Sequence, residues 1–149
     1  MKQQTGPPNL VTSDAVVKRV LTRAKVFAVV GASDNPQRPS YGVMQFLLQR
    51  GFSVVPVNPG LAGQELLGQK VYASLADVPG PVDVVDIFRN SEAAFDVVCE
   101  AITEKDRLGL KAVWMQLDVV NQKAAAKARA SGLSAVMDRC PKIELARKP

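Results

Sequence analysis

The segment Val26-Phe27-Ala28-Val29-Val30-Gly31-Ala32-Ser33 constrains the fold of this chain more than any other stretch. Its consecutive apolar residues leave no polar face, so it reads as a strand buried on both sides. That is the condition of a central strand in a parallel sheet. Gly31 at the carboxyl end lets the backbone turn sharply and approach a ligand closely. A long loop, Asp34-Asn35-Pro36-Gln37-Arg38-Pro39-Ser40, follows before helical periodicity begins at Tyr41. In a doubly wound sheet the turn between the first strand and the next helix is where nucleotide phosphates rest. The G-x-G-x-x-G spacing of a dinucleotide binder is missing, however.

The rest of the chain alternates in kind. Thr12 or Ser13 can cap a helix from about Asp14 to Ala24, with Val16, Val17, Val20, Leu21 and Ala24 as its apolar stripe. A second helix runs from Ser40 or Tyr41 to Gln49 and stops at Gly51. The second strand is Ser53 to Val57. Leu61 to Lys70 is an irregular excursion, Val71-Tyr72 a short extended piece, and Ser74 to Pro79 a brief helical turn. The third strand is Asp83 to Phe88, and Ser91 is expected to cap a helix with Phe95, Val98, Cys99 and Ile102 facing inward. Lys111 to Gln116 form the fourth strand, Asn121 caps an alanine-rich helix to Ala130, and Leu133 to Met137 form the fifth strand. Five strands separated by helices predict an α/β fold: one doubly wound, Rossmann-like domain with a five-stranded parallel sheet in the order 3-2-1-4-5. The crevice is then expected at the carboxyl ends of strands one and four. Residues 1–11 read as a flexible tail and 12–149 as the domain.

The chain of 149 residues is long enough for a real core, and it contains no histidine. His-based triads, phosphohistidine intermediates and His zinc ligands are therefore excluded. Two distant cysteines and no C-x-x-C argue against a disulfide framework or a cysteine metal site. No run approaches the roughly 18 apolar residues of a membrane span, and the first residues lack an apolar signal core. These features place the protein in the cytoplasm. The net charge of +5 is spread along the chain without a basic run, which disfavours nucleic acid and suits a small polyanion.

At the switch point, Gly31, Ala32 and Ser33 can offer backbone N–H groups and a hydroxyl to an anion, and Arg38 can pair bidentately with phosphate. Equally, Gly31 can serve only to turn the chain, with Arg38 solvated. An NAD site asks for a carboxylate at the end of strand two, but the sequence there is Val55-Pro56-Val57-Asn58-Pro59. A P-loop is absent as well.

The blocks Val30-Gly31-Ala32-Ser33, Arg38-Pro39-Ser40-Tyr41, Val57-Asn58-Pro59, Val71-Tyr72-Ala73-Ser74-Leu75, Trp114-Met115-Gln116-Leu117 and Met137-Asp138-Arg139-Cys140-Pro141-Lys142 resemble those of the small stand-alone CoA-binding proteins. These in turn are similar to the CoA-binding domain of the succinyl-CoA synthetase α subunit. The resemblance covers residues 15 to 146, and it implies that the ligand is coenzyme A or an acyl-CoA. It further implies that Gly31, Ala32 and Ser33 hold CoA phosphates while Arg38 and Ser40 close the loop over them. Val57, Asn58 and Pro59 would lie beside the adenosine, with Phe88 and Arg89 flanking adenine or phosphate. Met115, Gln116 and Leu117 would line the pantetheine route. Asp118 departs from the family, which often has glycine there. The chemistry of the residues agrees: CoA carries a pyrophosphate and a 3′-phosphate, which Asn58 would not repel and which suit Arg38 and Arg89.

Other reactive residues admit two readings. Cys140, between Arg139 and Pro141-Lys142, is either a thiol activated by basic neighbours or a half-buried turn residue. Cys99 reads as core and Trp114 as packing. Asp83 and Asp86 lie three positions apart, so on a strand they face opposite sides. Asp83 reads as the residue that starts the strand and Asp86 as a holder of a helix end or loop. The leading expectation is a CoA-binding module with no metal and no catalytic residues of its own, compatible with a protein partner or homo-oligomer. The rival is an NAD(P)-dependent oxidoreductase with a minimal Rossmann domain.

Overall fold

The structure is a computed structural model that describes residues 12–147. The tail expected over residues 1–11 lies outside the described residues. In chain order the elements are α1 (Asp14–Arg23), β1 (Val26–Val30), α2 (Pro39–Gln49), β2 (Ser53–Val57), β3 (Glu65–Leu66), β4 (Gln69–Lys70), β5 (Val84–Ile87), α3 (Ser91–Thr103), α4 (Lys105–Leu108), β6 (Ala112–Met115), α5 (Gln122–Ala130), β7 (Ser134–Val136) and α6 (Pro141–Arg147).

A five-stranded parallel sheet in the order β2-β1-β5-β6-β7 carries helices on both faces, which makes the fold α/β and Rossmann-like. The alternation of side chains along each strand separates two cores. Ala28, Val30, Val85, Ile87, Val113 and Met115 pack towards α3 and α5. Phe27, Val29, Val54, Val84, Trp114 and Val136 pack towards α1, α2 and α6. β1 lies between β2 and β5 and is covered on both faces, which is why its sequence contains no polar residue.

The strand order differs from the expected 3-2-1-4-5. The strand read as third, β5, lies beside β1 and not outside β2. The place outside β2 is taken by the short piece Val71-Tyr72: Tyr72 N–H donates to the Pro56 carbonyl (3.0 Å), and Asn58 N–H donates to that of Tyr72 (2.9 Å). This piece is brought there by the β3–β4 hairpin, so the chain must cross to the other side of β1 before adding β5. The direction of strand addition reverses between β1 and β5. The crevice therefore opens there, and not between strands one and four.

Three local readings also change. Asn90 caps α3, its Oδ1 accepting from Ala93 N–H at 2.7 Å. The inward stripe of α3 is Ala94, Val97, Val98 and Ala101, which leaves Cys99 half-buried. At α1, Ser13 provides the cap, while Thr12 ties the start of the helix to the end of β7 by accepting from Met137 N–H (2.9 Å). α6 has no counterpart in the sequence reading. Pro141 at its first position, a favoured start for a helix, is the signal that marks it.

Asp83 starts β5 as expected. Its carboxylate accepts from the N–H groups of Lys25 (2.8 Å) and Val26 (2.9 Å) and pairs with Lys111, joining the beginnings of β1, β5 and β6. Burial works to raise its pKa. The Lys111 hydrogen bond, the two backbone donors and the Lys111 charge together outweigh burial and hold it below 3.8. A depressed folded pKa gives stability that is present above the unfolded value and lost as pH falls through the folded one. Asp83→Ala should cost about 2–3 kcal/mol in denaturant unfolding at neutral pH, since it orphans two backbone donors. The gap between variant and wild type should close as the pH is lowered below about 4.

Candidate functional site

At the carboxyl end of β1 the chain turns through Gly31 at φ +91. A Cβ there would sit 2.4 Å from the Phe88 carbonyl oxygen and 3.3 Å from Arg89 Cδ. Glycine is therefore demanded by the backbone after β5 as well as by the turn. The three N–H groups expected to face an anion are already bonded within the protein. Gly31 and Ala32 both donate to the Val57 carbonyl (3.0 and 3.3 Å), and Ser33 donates to Ser40 Oγ (3.1 Å). The Ser33 hydroxyl accepts from Asn35 N–H (3.0 Å). The turn shapes the crevice, but its amides are not free for phosphate.

Positive potential comes instead from three neighbours. Arg38 stands at the N-cap of α2 and supplies no side-chain cap bond, and Pro39 has no N–H, so the helix presents an uncapped N-terminus. Arg38 and Arg89 are both exposed, and neither guanidinium makes a hydrogen bond or ion pair among the described residues. Arg139 and Arg107, by contrast, are committed to Asp14 and Glu144 and to the Leu75 and Val78 carbonyls.

A cavity of about 560 Å³ lies over this point, within the range of small-molecule sites. It brings together Gly31, Ala32, Ser33, Arg38, Ser40, Asn58, Phe88, Arg89, Gln116 and Leu117 of the predicted set, and adds Pro39, Asp118 and Val119. A neighbouring cavity of about 430 Å³ shares Gly31, Asn58 and Arg89 and is lined by Val57 and Pro59. Val30, Ala73, Ser74, Val97 and Glu100 complete it. Met115 does not line the first cavity as expected: it is fully buried in the α3–α5 core, because its position in β6 points away from the crevice.

Asn58 connects the two cavities. Its Nδ2 donates to the Ala32 carbonyl (2.7 Å) and its Oδ1 accepts from Gly60 N–H (2.8 Å), so the amide is held rigidly at the end of β2. Asp118 adopts φ 68, a left-handed conformation that favours glycine, and its N–H donates to Asp138 Oδ1 at 2.7 Å. Aspartate is among the few residues that tolerate this conformation, so the backbone path is kept while one negative charge is added at the rim. Ser91, read as a helix cap, instead fastens this loop. Its Oγ donates to the Asp118 carbonyl (3.3 Å) and accepts from Val120 N–H (2.9 Å). The sequence carries no local signal for that role, since the two partners are far apart along the chain.

Cys140 is buried, 5% exposed, in the α1–α2–α6 core, which favours its structural reading. Trp114 is fully buried as packing, its indole N–H bonded to the Arg139 carbonyl (2.7 Å). Asp86 holds neither a helix end nor a loop. It is fully buried, neither carboxylate oxygen has a partner among the described residues, and burial pushes its pKa well above 3.8. Among the described residues no group of three His, Cys, Asp or Glu side chains could hold a metal ion, and no helix is long and apolar enough to cross a membrane.

A five-stranded parallel sheet with a glycine turn, an uncapped helix N-terminus and a cavity at its switch point places the chain in the Rossmann-like α/β class of domains. Residues 25–146 match the family model described as a CoA binding domain, and the chain belongs to that family. It is 37% identical over 131 residues to the uncharacterized protein YneT of Bacillus subtilis, covering 88% of this chain and 93% of the relative. A hypothetical protein from Pyrococcus horikoshii has a solved structure that superposes with a TM-score of 0.82 at 38% identity, covering 98% of each chain. An ADP-forming acetate–CoA ligase II of Archaeoglobus fulgidus is 33% identical over 84 residues, which are 55% of this chain but 12% of that protein.

Gly31→Ala should lower folding stability by about 2–4 kcal/mol, since it adds both a strained φ and a clash with a main-chain carbonyl. Denaturant unfolding checks this. Unchanged stability would mean that the glycine serves only the ligand.

Proposed function

We propose that this protein binds coenzyme A or an acyl-CoA in the crevice between β1 and β5, as an accessory module without catalytic residues of its own. The observation that carries this reading is the pair of unpartnered guanidiniums, Arg38 and Arg89, on one cavity of a CoA-binding-family fold. CoA phosphates would lie at the uncapped start of α2 under Arg38, with Ser40 as part of the wall. Adenosine would extend past Asn58 into the second cavity, beside Val57 and Pro59, with Arg89 between the two cavities. The pantetheine arm would leave along Gln116 and Leu117. The cytoplasm is the compartment we assign, in keeping with two free thiols.

No observation favours the oxidoreductase reading. The residue after β2 is Asn58, whose amide is committed to the protein, and not a carboxylate that would take ribose hydroxyls. Glu100, in the second cavity, is held by Ala76 N–H at 3.4 Å.

Calorimetry should show CoA binding more tightly than NAD or NADP, and equal or tighter NAD binding would sink the CoA reading. Arg38→Ala should weaken CoA by about 1.5–3 kcal/mol, the scale of a hydrogen bond to a charged group, and leave thermal stability nearly unchanged. Lost stability with unchanged affinity would assign Arg38 to the fold.

A further inference from the structure

Asp86 and Gln116 face the same side of the sheet. β5 and β6 pair Asp86 with Trp114, and Gln116 N–H extends that ladder to the Ile87 carbonyl (3.2 Å). Gln116 thus stands one diagonal step beyond Asp86 towards the crevice, about 8 Å between Cα atoms for a strand spacing of about 4.8 Å and a rise of about 3.3 Å per residue, which side chains of this length span. Both are buried polar residues, Asp86 fully and Gln116 with 5% exposure. Among the described residues, both Asp86 oxygens and Gln116 Oε1 lack any hydrogen-bond partner. Gln116 Nε2, in contrast, is not among the buried orphaned atoms, and the residue lines the larger cavity.

An unpaired carboxylate at such a position carries a large desolvation cost, which favours the neutral, protonated form of Asp86. Its neighbours in register are Val29 and Trp114, and the Trp114 indole is already occupied by the Arg139 carbonyl. A neutral carboxylic acid carries one O–H donor, and an orphaned carboxamide oxygen is the acceptor it lacks. We propose that Asp86 donates its O–H to Gln116 Oε1 and thereby fixes the carboxamide with its Nε2 donors aimed into the cavity, where they take a carbonyl of the ligand. Asp86 is then a positioning residue and Gln116 a reader of an amide-bearing ligand, such as the pantetheine arm. Left to itself, the Gln116 amide could turn over and present an acceptor where the site requires a donor.

The ligand half of this inference rests on the CoA reading above, whereas the Asp86–Gln116 bond does not. The two are separated by measuring the full chain with and without CoA. In the ligand-free, isotope-labelled protein at neutral pH, the Asp86 carboxyl carbon should resonate as an acid. The Gln116 side-chain amide signals should shift in Asp86→Leu and stay near their wild-type positions in Asp86→Asn, which keeps a donor. An ionised Asp86, or Gln116 signals indifferent to Asp86→Leu, overturns the bond whatever the ligand. In calorimetry with CoA, Asp86→Leu and Gln116→Leu should each weaken binding roughly five- to tenfold, the scale of one hydrogen bond. Asp86→Asn should remain within about twofold of wild type, and the double Leu variant should be no weaker than Gln116→Leu alone. Wild-type affinity in Asp86→Leu overturns the positioning role. If wild type fails to bind CoA at all, the functional reading falls and the resonance data alone decide the bond.

Discussion

The site depends on one close approach, that of Gly31 to the Phe88 carbonyl. A side chain at Gly31 would meet that oxygen at 2.4 Å, so the ends of β1 and β5 come together only because nothing projects there. The Val57 carbonyl then accepts from both Gly31 and Ala32, which binds the end of β2 to the same turn. Three strand ends are locked into one wall, and the crevice has its floor before any ligand arrives. That rigidity also limits the chemistry, because the amides that build the turn are no longer available to an anion. In the proposed CoA site, phosphate would be met by groups the fold leaves free, namely the start of α2 and the guanidiniums of Arg38 and Arg89.

A second constraint operates at the other end of the sheet. Asp83 collects the first N–H groups of β1 and the ammonium of Lys111, so the strands that define the crevice are also tied where they begin. Between these two ties the strands carry apolar side chains almost throughout, and Asp86 is the exception. A polar group retained at that depth needs a partner, and in the bond proposed above the orphaned Gln116 oxygen supplies it.

Much of this was legible in the sequence wherever the physics is local. β1 and β2 end where the apolar runs end, Asn121 and Ser13 cap the helices they precede, and Gly51 closes α2. Most of the residues expected at the crevice do line it. What was not legible is long-range. Two residues, Val71 and Tyr72, are too short a run to announce a strand, yet they occupy the place outside β2 and send β5 across β1. The buried stripe of α3 rests partly on Ala94 and Ala101, which a reading weighted to large side chains passes over. Whether the amides of Ser33 and Gly31 are free depends on Ser40 and Val57, residues that neighbour them only after folding.

The central claim, that CoA lies along the crevice between β1 and β5, is tested most directly by a crystal structure of the protein grown with CoA. The account predicts density running from the start of α2 past Asn58 and Arg89, with the phosphates against Arg38 and the pantetheine arm beside Gln116. CoA bound elsewhere on the surface, or phosphates lying away from both guanidiniums, would contradict it.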